Sequence, residues 1–139
     1  MKGPLFYAKI LLFGEYGIIK DSKGLAIPYN SYKGALKVTE EFTEDAKNSN
    51  KNLHKFYSYL SNLKTDLVNF RLDEFKHDID RGMYFDSSIP QGYGVGSSGA
   101  LVASIYDKYA DDKITVLENL TRDKLLKLKF GWYLVAEFI

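Results

Sequence analysis

Pro90-Gln-Gly-Tyr-Gly-Val-Gly-Ser-Ser-Gly-Ala100 is the most informative stretch of this chain of 139 residues. Glycines occupy three alternate positions, 92, 94 and 96, and two serines follow just before a helical pattern. A loop with so little side-chain bulk can turn its backbone N–H groups inward around an anion, and the following helix adds the positive end of its dipole. The stretch predicts a phosphate cradle. The alternative is a plain flexible loop with a serine N-cap.

The composition predicts one domain with an aromatic core. Hydrophobic residues make up 45% and aromatic residues 15%, with 11 Tyr and 9 Phe. A net charge of +1 gives no electrostatic footprint for nucleic acid or an anionic membrane. The absence of cysteine excludes disulfides and thiolate metal sites. No apolar run approaches the roughly 20 residues of a membrane helix, and no signal peptide is evident. We therefore expect a cytoplasmic protein that binds neither nucleic acid nor membrane.

Three strands are predicted within the first third of the chain. Phe6–Phe13 is rich in Ile, Leu and aromatic residues and indicates a largely buried strand. Gly24–Tyr29 indicates a second extended piece, in which Pro28 favours an edge or a strand end. Ala35–Phe42 alternates apolar and polar residues, apart from Glu40, and predicts a half-solvated strand.

The remaining elements follow from helical spacing and from the glycine loop. The polar stretch Thr43–Asn50 is typical of a loop. Beyond it we predict a helix over Asn48–Leu63, a short helix over Leu72–Arg81, a strand over Gly82–Ser88, a helix over Ser97–Tyr109 and a helix start at Thr121. This order, without a clean βαβ repeat, indicates an α+β fold.

Two common phosphate loops do not fit the glycine-rich stretch. The Walker-type loop needs a lysine after its last glycine, and no lysine occurs from Pro90 to Asp107. The dinucleotide fingerprint is met formally by Gly94, Gly96 and Gly99, but it requires a βαβ unit with an acidic residue about 20 residues further on, at the end of the next strand. The sequence near residues 107–118 offers no such strand.

A third type of loop fits better. Pro90 to Ala100 resembles the Pro-x-Gly-x-Gly-[Leu/Val]-Gly-Ser-Ser-[Ala/Gly]-Ala signature of the galacto-, homoserine, mevalonate and phosphomevalonate kinases (GHMP kinases). Ala8 to Tyr16 resembles the first motif of the same family, Gly-Lys-x-x-Leu-x-Gly-Glu-His, with Tyr16 at the histidine position. Two motifs in the family's order are more specific than either alone. The resemblance covers residues 5–110 and is closest to mevalonate kinase-like members.

The resemblance implies a fold and a set of roles. The fold would be the ribosomal protein S5 domain 2-like N-terminal domain, a mixed sheet packed against helices. ATP would be held by the glycine loop and Mg²⁺ by the Ser98 hydroxyl, and Lys9 would be catalytic beside the transferred phosphoryl group. Substrate contacts would come from Glu15 and Tyr16. The nucleotide-binding positions would be Gly92, Gly94, Val95, Gly96, Ser97, Ser98 and Gly99.

From the residues alone, the side chains of Lys9, Glu15 and Tyr93 each have an alternative interpretation. Lys9 can be a strand lysine whose ammonium group reaches solvent, and Glu15 can be a turn carboxylate. Tyr93, within the loop, can stack near the nucleotide or be an exposed aromatic residue.

The function implied is transfer of the γ-phosphoryl of ATP to an alcohol of a small, mevalonate-like metabolite. Residues 1–129 correspond to the family's ATP-binding domain, incomplete at its end, and we expect 130–139 to be an apolar tail of uncertain origin. The family's carboxylates and C-terminal domain are not found. We therefore expect a truncated form with little activity alone, with a missing C-terminal half or a second copy as protein partner. The alternatives are a non-catalytic nucleotide-binding module and a structural or RNA-binding domain of the same fold.

Overall fold

The computed structural model describes residues 3–13, 23–63, 66–114, 121–124 and 126–127. Within them a three-stranded antiparallel sheet, in the order β1-β2-β3, packs against helices, so the expected α+β class is confirmed. The S5 domain 2-like topology stays a prediction. The elements in chain order are β1 (Phe6–Phe13), β2 (Leu25–Val38), α1 (Glu44–Asn62), α2 (Leu72–Asp80), β3 (Met83–Ser87) and α3 (Ser97–Tyr109).

The second and third predicted strands are one long strand, β2. Tyr29 pairs with Ala8 and Lys33 pairs with Tyr7, so residues 30–32 form a bulge opposite β1 rather than a turn. The strand ends at Val38 and does not continue to Phe42 as predicted. The bulge contains Asn30 and Ser31, which are typical of turns, and this is why the two halves were not joined from sequence.

Pro28 lies in the part of β2 that has β1 as its one partner strand among the described residues, in agreement with the edge position predicted for it. Its partner on β1 is Lys9, whose N–H donates to the Val95 carbonyl at 3.0 Å and therefore points away from β2. Lys9 and Pro28 therefore form a non-hydrogen-bonded antiparallel pair, in which the backbone N and C=O groups of each residue point away from the other strand. The nitrogen of Pro28, which has no hydrogen to donate, therefore faces the side of β2 where β3 has no paired residue, since β3 pairs only with residues 34–38.

Helix α1 begins earlier than predicted, and the loop expected over residues 43–50 is wrong. The Thr43 hydroxyl accepts a hydrogen bond from the Ala46 N–H at 3.2 Å, which caps the helix. Glu44 and Asp45 follow in the first turn, where carboxylates favour the helix dipole. The first two turns lack apolar periodicity because all but Ala46 are exposed or only half-buried, so the cap was the available signal.

The main core lies where α1, α2, β3 and α3 meet. Phe75 is fully buried and its ring contacts Phe56, Tyr57 and Tyr109, the last at a centroid distance of 4.9 Å. Aromatic residues thus supply the centre of the packing, as the composition predicted. The buried members of this cluster are Leu53, Phe56, Leu60, Phe75, Ile79, Met83, Val102, Ile105 and Tyr109.

A polar network is built into the same core. The Tyr109 hydroxyl donates to the Asp78 carboxylate at 2.6 Å, and Lys108 Nζ lies 3.0 Å from the same oxygen. Burial alone would raise the pKa of Asp78, but the hydrogen bonds from Tyr109 and Lys108 outweigh it and hold that pKa below its usual value. Burial, reinforced by Asp78, raises the pKa of Tyr109, which stays a neutral donor.

Side chains of α1 are joined to the backbone of β3. The Ser49 hydroxyl accepts from the Phe85 N–H at 2.8 Å and lies 3.1 Å from the Phe85 carbonyl, to which it donates. Asn50 Nδ2 donates to the carbonyls of Ile79 and Met83. The outer edge of β3 therefore finds its hydrogen-bond partners in a helix rather than in another strand.

The sheet extends beyond its helical cover as a two-stranded ribbon of β1 and β2. Ala8 is buried against Ile89 and Ala100, the latter on α3. Further along the ribbon the side chains are uncovered: Leu12, Leu25 and Ile27 are 53%, 45% and 43% exposed. Ile27 pairs with Ile10 two positions beyond Ala8, so it lies on the face that α3 covers at Ala8. The helical layer thus ends at the level of the glycine loop.

Two further predictions concern the later part of the chain. The helix start at Thr121 is confirmed, since its hydroxyl accepts from the Lys124 N–H at 3.3 Å. The tail, 130–139, lies outside the described residues. None of the described helices is long and apolar enough to cross a membrane.

Candidate functional site

The glycine loop adopts a backbone that only glycine takes easily. Gly92, Gly94 and Gly96 have φ values of 79°, 69° and 86°, all in the left-handed region, while the residues between them do not. Alternating the hand of successive residues turns neighbouring N–H groups toward a common point, which is the geometry of an anion-binding nest. The spacing of the three glycines is thus explained by backbone conformation.

The loop has a fixed half and an open half. Val95 is fixed, because its carbonyl accepts from the Lys9 N–H at 3.0 Å and its side chain packs on the cluster of Ala8, Ile89 and Ala100. At Gly92 and Gly94, in contrast, an added Cβ would meet nothing within 4 Å. The sequence analysis did not identify Ala8 and Ile89 as supports of the loop. The small side chain of Ala8, in a strand of otherwise large residues, could have indicated that another segment packs closely there.

Helix α3 begins directly at the loop with its first amides uncapped by a side chain. Gly96 is the N-cap, and no side-chain cap hydrogen bond is present there, so the serine N-cap considered above is wrong. The first helical bond runs from the Ala100 N–H to the Gly96 carbonyl at 3.0 Å. The N–H groups of Ser97, Ser98 and Gly99 precede it, and such groups have no acceptor within their own helix.

Lys9 lies across this helix start. A Cβ at Gly96 would be 2.9 Å from Lys9 Cγ and 3.4 Å from Lys9 Cε, so the aliphatic stem of the lysine packs against the glycine backbone. Burial lowers the pKa of Lys9. A cation placed at the positive end of a helix is electrostatically unfavourable, and an anion between the two reverses the sign of that interaction.

The structure places Lys9 against Val95 and Gly96 of the loop, and the roles given to Lys9 and to the loop residues stay predictions. Glu15 and Tyr16 lie outside the described residues. Asp107, Asp111 and Asp112 lie at the far end of α3, whose 13 residues span about 20 Å. Within the described part of the chain no three His, Asp or Glu side chains gather in a metal-binding group.

A cavity is present away from the loop. It has a volume of about 190 Å³ and lies at the end of α1 and the start of α2. Its lining is formed by Leu60, Leu63, Val68, Asn69, Phe70 and Leu72. Gly92 to Gly94, by contrast, are exposed, so this part of the loop faces solvent.

Comparison with known proteins adds no relative: no family model, curated protein or solved structure matches the chain.

Proposed function

We propose that this protein binds the phosphate chain of ATP at the glycine loop, as the nucleotide-binding part of a small-molecule kinase of the type it resembles. The observation that carries the proposal is the arrangement of Lys9 against Gly96 at the start of α3. Nest amides and helix amides adjoin the aliphatic stem of Lys9 there, and amide and ammonium groups are both hydrogen-bond donors suited to phosphate oxygens.

The chemical groups of the loop and of the first turn of α3 are of the types that bind ATP and Mg²⁺. The amides of residues 94–98 would hold phosphate oxygens, and the Ser98 hydroxyl, half-buried in the first turn of α3, is an oxygen ligand of the sort Mg²⁺ accepts. When bound, the ion neutralises charge on the phosphates. Lys9, whose aliphatic stem packs against Gly96, would add a second positive charge.

The reaction proposed is phosphoryl transfer to an alcohol of a small, mevalonate-like metabolite. Such a transfer depends mainly on positioning and charge stabilisation. Lys9 would neutralise charge on the transferred group and favour the alkoxide of the acceptor, and a pKa lowered by burial suits that role. Glu15 and Tyr16 would contact the acceptor.

Binding is tested with tripolyphosphate and with ATP–Mg²⁺ by isothermal titration calorimetry. Gly96→Val places a Cβ on the Lys9 stem and at a φ of +86°, so we expect at least tenfold weaker binding of both ligands. Lys9→Met removes the charge and should have a similar effect. Gly3→Ala is the control outside the loop, because its Cβ would be at an ordinary contact distance of 3.6 Å from the Leu36 carbonyl oxygen. The proposal would be refuted if Gly96→Val and Lys9→Met both bound the ligands as tightly as the natural chain, or if the natural chain bound neither ligand.

Catalysis is tested by ADP release from ATP–Mg²⁺ with mevalonate. We expect the chain alone to give little turnover. The distance between the loop and the carboxylates at residues 107–112 favours, as a second candidate, a nucleotide-binding module without chemistry. Phosphate binding without ADP release in the presence of any alcohol acceptor would support that candidate. Robust turnover that Lys9→Met abolishes would instead show that the chain is itself an active kinase.

A further inference from the structure

Tyr93 is an aromatic side chain that the fold does not use. It is 80% exposed, the largest exposed fraction among the large hydrophobic residues of the described chain. No ring contact or hydrogen bond joins its side chain to the described residues. Most other aromatic side chains of α1–α3 are packed, so the exposure of this ring is a local feature of the loop.

The neighbours of Tyr93 leave room for a planar ligand. Gly92 and Gly94 flank it, both with positive φ, and an added Cβ at either would meet nothing within 4 Å. The glycines on both sides let the ring reorient with little steric cost. Val95, two residues on, is fixed by Lys9 and the small apolar cluster. The ring therefore stands on the open half of the loop.

The position of the ring relative to Lys9 indicates which part of a nucleotide it would meet. Lys9 packs on Gly96, so the phosphates would lie at that end of the loop. Tyr93 precedes Gly96 by three positions, so the two Cα atoms are at most about 10 Å apart. The group found at that distance from the phosphates in a nucleotide is the nucleoside.

We propose that Tyr93 is a nucleoside-binding residue whose ring stacks on the base of the nucleotide held by the loop. Stacking uses the π-face, which all bases share, so the contact increases affinity without selecting adenine over guanine. The hydroxyl stays in solvent and makes no contribution. This inference rests on the proposed phosphate site, and it separates the recognition of the base from that of the phosphates.

The test compares tripolyphosphate, ATP and GTP, each with Mg²⁺, on the natural chain, Tyr93→Ala and Tyr93→Phe. We expect Tyr93→Ala to bind ATP and GTP about tenfold more weakly, by the same factor, and to bind tripolyphosphate unchanged. Tyr93→Phe should bind all three like the natural chain. Tyr32→Ala is the control, since Tyr32 is a surface tyrosine of β2 whose ring contacts Tyr29.

Each result has one meaning. Tyr93→Ala binding ATP as tightly as the natural chain overturns the stacking role while leaving the phosphate site intact. Equal losses for tripolyphosphate and ATP also overturn it, because the ring would then support the loop rather than the base. Loss of ATP but not GTP contradicts recognition by the π-face. A natural chain that binds no tripolyphosphate at all refutes the phosphate site itself. Thermal melts of the variants, expected to match the natural chain, show that they are folded.

Discussion

The two ends of this domain are stabilised by different means. At one end α1, α2, β3 and α3 enclose fully buried side chains, with Phe75 in ring contact with three aromatic neighbours. At the other end β1 and β2 form a ribbon with exposed apolar side chains, and the glycine loop lies at the border between them. The stabilising packing lies at the first end and the candidate chemistry at the second.

The difference shows how a loop with little packing of its own can be tolerated. Three left-handed glycines contribute no side-chain packing, and the loop is held in place by one backbone hydrogen bond and one small apolar cluster. The folding free energy must come from the aromatic end, and α3 connects the two because its first turn borders the loop and its last buries Tyr109. Variants of the two ends should therefore separate stability from binding.

The largest effect is expected from Phe75→Ala. Deleting a fully buried ring with three aromatic neighbours leaves a cavity and should lower the free energy of unfolding by about 3–5 kcal/mol. Phe13→Ala is the matched control on the ribbon, where the ring is 61% exposed. Urea unfolding followed by circular dichroism measures both. Equal losses in the two variants would show that the ends do not differ as described.

A smaller effect, dependent on pH, is expected from Tyr109→Phe. The lost hydrogen bond to the Asp78 carboxylate should lower the free energy of unfolding by about 1.5–3 kcal/mol at pH 7. Because the folded-state pKa of Asp78 lies below its unfolded value, this stability is present above that value, about 3.9, and is lost as the pH falls through the folded pKa.

The pH series provides the check on that prediction. Urea unfolding at several pH values should show the difference between the natural chain and Tyr109→Phe shrinking below about pH 4. The control is Tyr57→Phe, whose hydroxyl makes no hydrogen bond to the described residues although its ring also contacts Phe75. A difference that stays constant down to pH 2 would contradict the role given to the charge of Asp78.

The smallest effect is expected from Ile27→Thr on the ribbon. Ile27 is 43% exposed, so the free energy of unfolding should change by no more than about 0.5 kcal/mol. Threonine keeps the β-branched shape that suits a strand. Size-exclusion chromatography with light scattering should show less self-association than in the natural chain, because an exposed apolar patch becomes more polar. A large loss of stability would mean that this face is packed.

Elements with regular periodicity were well predicted from the sequence. The bounds of β1 and α3 agree with the structure, because each carries an apolar pattern along its whole length. The prediction that β1 is largely buried is wrong, since only Ala8 is buried in it and its last residues lie on the exposed ribbon. The start of α1 was missed because its first turns are polar and are set by the Thr43 cap rather than by burial. The union of two predicted strands into β2 was missed because a bulge is a property of the pairing, not of the strand alone.

The sequence predicted the glycine loop of the candidate site but not the contacts that other parts of the chain make with it. The glycine spacing indicated the nest, and the structure places Lys9 against it, which a strand pattern by itself could not show. The serine N-cap, which was the alternative to the cradle, is absent: the left-handed Gly96 takes the cap position, and both serines lie in the helix, whose start at Ser97 was predicted. The contacts that hold Val95 involve residues distant in sequence, so no local pattern predicts them.

Pro28 has a consequence for how copies of this protein behave at high concentration. A strand with a free row of backbone donors is a template on which another chain can add, and repeated addition leads to fibrils. At Pro28 that row has a gap, and further along the same side of the sheet, at Phe85, Ser49 already occupies the backbone groups. We expect any self-association of the exposed ribbon to occur through contact of faces, giving small discrete assemblies rather than extended polymers.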